Sequence, residues 1–167
     1  MKLMLLMVSL FIHQPAQTTS LLVQVRRLYQ NSAESEDSLK KLSRILATTD
    51  NNSAEIVYLS YKGAATMMQA KYQINPFAKM DCFKNGKAII ETAINKDTTE
   101  IEARYLRFTI QTNLPSFLNY SANIINDKAF LLSNYPQIKD EELKKIIFHY
   151  LSTSKFCTEE ELKKLKS

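Results

Sequence analysis

The side chains that could do chemistry in this chain are cationic and polar. Arg104, Arg107 and Gln111 recur at three- and four-residue spacing along one face of a helix, with Asn113 near its end. Upstream, Tyr61, Lys62, Lys71, Asn75 and Phe77 interleave aromatic, cationic and amide groups, and Lys79, Lys84 and Lys87 continue the positive series. A guanidinium presents a planar fork that holds both oxygens of a carboxylate at once. Such a set suits recognition of an acidic or peptide ligand in a helical groove more than the making of bonds. The competing reading is an ordinary solvated face, on which Glu100 and Arg104 form an i,i+4 pair worth about 0.3 kcal/mol.

Catalytic constellations are scarce. Past Ala16 the chain has a single histidine, His149, set between Phe148 and Tyr150 on an amphipathic helix, where a packing or surface role is expected. No CxxC, HExxH, GxSxG or phosphate loop occurs, and two glycines are too few for a phosphate cradle. Acids cluster at Glu100 with Glu102, at Asp140-Glu141-Glu142 and at Glu159-Glu160-Glu161. Each cluster falls where a helix begins, and the helix dipole favours acids there. The expectation is therefore a protein without catalytic residues, bound metal or cofactor. The alternative is an enzyme that uses a carboxylate in the same groove.

The formal charge of +5 is modest, and the lysines are dispersed rather than run together, which argues against a nucleic-acid partner. The terminal Lys163-Lys164-Leu165-Lys166 tract is a weak candidate for contact with an anionic membrane surface.

The elements that must position these groups read as helices. Two glycines and four prolines leave few of the turns that an all-β fold needs. Residues 1–16 read as a signal peptide, with Lys2 as the positive start, Leu3 to Ile12 as a short apolar run, and cleavage after Ala16. The remaining 17–167 is expected to form one all-helical domain, exported to the periplasm or secreted. Oxidising compartments permit disulfides, but nothing local brings Cys82 and Cys157 together, and both are expected to stay unpaired.

After the signal, Leu22, Val25 and Tyr29 mark a first helix with Arg26-Arg27 on its polar side, and Leu39, Leu42 and Leu46 mark a second. Asn52 with Glu55 should open a third, rich in Gly63, Ala64, Ala65 and Ala70, in which Gly63 faces Gly86 or its neighbours. Asn75-Pro76 is a helix start, with Asn as cap and Pro at the first helical position. Phe117 and Leu118 belong to an irregular apolar connection after Pro115. A helix follows with Ile124, Ile125 and Leu131, interrupted near Asn126-Asp127. Another carries Leu143, Ile147 and Leu151, and a capping box at Thr158 and Glu161 opens a last short one.

The stretch from Phe83 to Pro115 is expected to organise the rest as two helices joined by Asn95 to Thr99. A capping box should link Thr99 and Glu102, with Ile90, Ala93, Tyr105, Leu106 and Phe108 buried. This stretch resembles one degenerate tetratricopeptide repeat of an exported bacterial protein. Gly86, Ile90, Ala93 and Thr98 stand at that family's small, aromatic, alanine and proline positions, and Ala103 and Tyr105 fall where the family often has them. Ile90 and Thr98 depart from its residue types, as do Arg107-Phe108 at its leucine-glycine pair. The resemblance implies an all-α fold of about seven or eight helices stacked as antiparallel hairpins in a short right-handed array. It also implies a noncatalytic scaffold that binds a protein or peptide partner.

Overall fold

The computed structural model of the chain describes residues 16–49 and 55–166, with side chains from 21 to 165. Residues 1–15 of the expected signal segment 1–16, and the expected cap Asn52, lie outside the described residues. The described chain is all-helical: α1 (Ala16–Asn31), α2 (Glu36–Leu46), α3 (Ile56–Gln69), α4 (Pro76–Lys96), α5 (Ile101–Asn113), α6 (Ile124–Asn134), α7 (Glu141–Thr153) and α8 (Glu159–Lys166). Short 3-10 turns at Ala70–Tyr72, Ser116–Leu118 and Tyr135–Gln137 follow α3, α5 and α6.

Local chemistry accounts for several boundaries. Asn75 Oδ1 accepts from the Phe77 amide at 2.8 Å, and Pro76 occupies the first turn of α4, as expected. Thr158 and Glu161 form the reciprocal capping box at the start of α8. The box expected at Thr99 does not form. Thr99 donates its amide and hydroxyl to Asp97, Glu100 caps α5 instead, and the Glu102 side chain is called away into the interior. Pro115 cannot extend α5, and Leu114 before it is extended at φ −82°, ψ 147°. No break occurs at Asn126-Asp127, because α6 runs through both residues.

α3 and α4 make the most extensive helix contact. Their axes approach at Gly63 and Gly86, as the small residues suggested. A Cβ on Gly63 would stand 2.8 Å from the Ile90 nitrogen, and one on Gly86 would stand 2.6 Å from the Gly63 carbonyl oxygen. α5 is the central helix, touching α3, α4, α6 and α7. Ile90, Ala93, Leu106 and Phe108 are fully buried, and Tyr105 nearly so. The closest pairings are thus α3 with α4 and α5 with α6, rather than α4 with α5 across their short turn. Cys82 and Cys157 are both free thiols, each half-buried.

Candidate functional site

Two buried ion clusters take up Tyr61, Arg104 and Arg107, with Gln111 beside the second. The first joins α1, α3 and α5. Arg26 donates through Nε and Nη2 to both oxygens of Glu102, each at 2.7 Å, and the Tyr61 hydroxyl donates to Glu102 Oε1 at 2.7 Å. Asp140 and Glu142 at the start of α7 also meet Arg26. Burial alone would depress the Arg26 pKa, but these carboxylates outweigh it and hold it above the ordinary arginine value. Arg26 therefore sits inside, not on the polar side of α1; only its neighbour Arg27 is exposed.

The second cluster joins α4, α5 and α6. Arg107 donates from Nε to Asp127 Oδ2 at 2.7 Å, from Nη2 to Asp127 Oδ1 at 2.9 Å, and from Nη1 to Glu91 Oε2 at 2.7 Å. Arg107 is 5% exposed and Asp127 is fully buried. Desolvation works against the Arg107 charge, and Asp127 and Glu91 overcome it, raising its pKa. Arg104 Nε lies 2.5 Å from Asp127 Oδ1, and its guanidinium stacks 4.5 Å above the Phe130 ring. The Tyr120 hydroxyl donates to Glu91 at 2.5 Å, so burial and that carboxylate push its pKa well up. Gln111 Oε1 accepts from the Asn123 amide, while its buried Nε2 lies against Tyr120 without a well-formed hydrogen bond.

The expected cationic groove is therefore corrected. Arg104, Arg107 and Gln111 do share a face, but that face is covered by α6, which brings Asp127 against it. Tyr61 is buried on Glu102. Lys62 donates to the Thr49 carbonyl and Lys71 to the Ala33 carbonyl, so each is drawn toward the α1–α2 side of the fold. Asn113 donates to the Thr109 carbonyl and the Tyr150 hydroxyl. Asn75 is exposed but caps its helix. Of the nine expected residues, Phe77 alone is an exposed side chain, 81% accessible, without a task inside the fold.

Among the described residues the outer face of α4 is open. Met80, Phe83, Lys84, Lys87, Ala88 and Glu91 line one side of a groove of about 550 Å³. Phe117 and Leu118, on the 3-10 turn after α5, form the other side. Asn119 closes that turn at φ 48°, a left-handed conformation that asparagine tolerates better than most residues, and its amide bonds the Ser116 carbonyl. Phe117 is held outward at 78% exposure. Ile74, Phe77 and Met80 extend the apolar surface past the start of α4. Phe77 and Phe117 are the two phenylalanines this exposed among the described residues.

No protein-family model, characterised protein or solved structure matches the chain.

The groove is open and mixed in character. Phe83 is buried at its base and packs edge-to-face on Tyr120. The Lys87 ammonium lies 4.7 Å above the centre of the same Tyr120 ring, while Lys84 is exposed on the rim. Glu91 is the one carboxylate of the lining, and each of its oxygens already accepts a hydrogen bond, from Arg107 or from Tyr120. Among the described residues no group of three or more histidine, cysteine or acidic side chains is placed to hold a metal ion, and no helix is long and apolar enough to cross a membrane. A second, smaller hollow of about 290 Å³ lies between α2 and the end of α3, lined by Glu36, Lys40, Arg44, Gln69 and Tyr72 among others.

Sequence reasoning missed both the buried acids and Phe117. Asp127 stands three residues after Ile124 and four before Leu131, and so on the apolar stripe of α6. An acid in that position signals a buried partner of opposite charge. Arg26, four residues after Leu22 and three before Tyr29, carries the same signal on α1.

Proposed function

We propose that the chain is a noncatalytic interaction scaffold that binds a protein partner along the outer face of α4. The observation that carries this reading is the exposure of Phe117, 78% accessible on one wall of an open groove, together with Phe77, 81% accessible on α4 one turn before the lining residue Met80. Leaving such rings in water forgoes roughly 1.5–3 kcal/mol each, a deficit that a covering partner removes. The buried carboxylates Glu102 and Asp127 are held on arginines within the interior, where a substrate has no access. An enzyme that used this groove would have to act through Glu91, whose two oxygens are both engaged.

The same reading takes the helices as antiparallel hairpins stacked in a short tetratricopeptide-like array, in a protein exported after removal of residues 1–16. Stacked hairpins leave the outer face of a helix open where no further pair covers it. The test is quantitative affinity purification from native cells with tagged wild type and the variant Phe77→Ser/Phe117→Ser. Both substitutions fall on exposed positions, so the melting temperature should hold within the effect of about 0.5 kcal/mol. The variant should lose a partner that the wild type retains. Equal recovery of every protein by the two would contradict the proposal.

A further inference from the structure

We infer that the occupant of the α4 groove is an acidic amphipathic helix of the partner protein, an inference that rests on the reading above and names the chemistry of its ligand. The shape argues for a helix. The α4 lining recurs at 80, 83, 84, 87, 88 and 91, one straight helical face over three turns, roughly 16 Å long at 1.5 Å per residue. Phe77 continues it by one more turn. Against such a face a second helix packs ridge into groove, whereas binding by strand addition needs a sheet edge. Among the described residues the chain has no strand.

The packing and the charge then select the kind of helix. Ala88, one turn before the C-terminal end of the face, is exposed and small, which lets a second axis approach closely there. Met80 on one wall, Phe83 at the base, and Phe117 and Leu118 on the other wall receive apolar side chains repeating at i, i+3 or i+4, and i+7. Lys84 stands exposed on the rim and Lys87 is half-buried over Tyr120, while Asp81 is exposed on α4 next to Met80 but outside the lining. Glu91 is offset by Arg107, with Nη1 on Oε2 at 2.7 Å, so the charge that the lining itself offers a ligand is that of Lys84 and Lys87. A helix that carries Asp or Glu beside its apolar stripe meets that field with complementary charge, and a basic helix is repelled.

The experiment selects ligands from a phage library of helix-forming peptides, about 16 residues long to cover the groove, on the immobilised full chain. Enriched peptides are then titrated by fluorescence anisotropy. The expected selection carries an apolar stripe flanked by acids. Binding should weaken at least about tenfold, a 1.4 kcal/mol change, for Lys84→Glu/Lys87→Glu and separately for Phe117→Ala, and it should weaken with added salt. Failure to enrich any peptide, enrichment of basic peptides, or indifference to the lysine reversal would overturn the inference. So would a Phe117-dependent dimer in light scattering, which makes a second copy the occupant. Phe117-dependent sedimentation with phosphatidylglycerol vesicles would overturn it in favour of a membrane. If any of these is found while Phe77→Ser/Phe117→Ser still loses a cellular partner, the scaffold reading stands and only the acidic helix falls.

Discussion

Replacing Arg107 by alanine should unfold the protein at markedly lower temperature, although the sequence alone suggests a surface residue whose loss is harmless. The guanidinium makes three hydrogen bonds, two to a fully buried Asp127 and one to Glu91. Removing one member of a buried pair costs about 3–5 kcal/mol, because the remaining charge is left without its partner. Two features of the cluster favour the lower end. Arg104 stays 2.5 Å from Asp127 and retains part of the compensation, and Tyr120 still donates to Glu91. A loss of about 3 kcal/mol in a domain of this size lowers the melting temperature by roughly 6–12 °C. Thermal melts followed by circular dichroism would read it. Urea titration would give the energy, together with the single variant Asp127→Leu and the double variant Arg107→Ala/Asp127→Leu. The double variant should be more stable than the sum of the singles by about 0.5–3 kcal/mol, since neither charge is then orphaned. A shift below about 2 °C for Arg107→Ala, with strictly additive singles, would refute the buried cluster.

Two further perturbations probe the frame that holds the groove. Gly86→Ala should destabilise despite the gain of about 1 kcal/mol in helix propensity, because its Cβ would stand 2.6 Å from the Gly63 carbonyl oxygen and 2.7 Å from the Met67 nitrogen. Overpacking against backbone costs about 1–3 kcal/mol, and a urea melt no weaker than wild type would show that α3 and α4 are not in contact there. Alkaline pH should unfold the protein through its tyrosines. Burial raises the pKa of Tyr29 to about 12 and raises those of Tyr61, Tyr105 and Tyr120 as well. Groups that bind protons more tightly when folded stabilise fully below the unfolded value near 10, and that stability is lost as pH rises through the folded values. Tyrosinate absorbance should therefore appear together with loss of helix above about pH 10, and smooth titration in an intact fold would contradict the burial of these hydroxyls.

The elements were largely legible because their signals are local. Asn75-Pro76, the Thr158–Glu161 box and the stop at Leu114-Pro115 depend on residues within one turn, and each forms as its chemistry dictates. The approach of Gly63 to Gly86 was legible because little else explains glycine inside two helices. The site was not legible in the same way. The polar stripe of α5 has the right periodicity, but periodicity does not say whether the neighbour is water or a matched acid, and Asp127 lies 20 residues away in sequence. Arg26 and Glu102 are separated by 76 residues, so their pairing is a property of the assembled fold. Phe117 reads as one more apolar residue in a connection. Only the turn closed by Asn119 shows that nothing in the described chain covers it.

The measurement that bears most directly on the scaffold reading is site-specific photo-cross-linking in native cells. A benzophenone side chain would replace Phe117 in the groove in one strain. In another it would replace Lys145, an exposed residue of α7 outside the groove lining. The expected result is a cross-linked adduct to one partner protein from position 117, absent from position 145 and lost when Lys84→Glu/Lys87→Glu is added. Adducts of equal yield from both positions, or none from position 117, would contradict a binding face on α4.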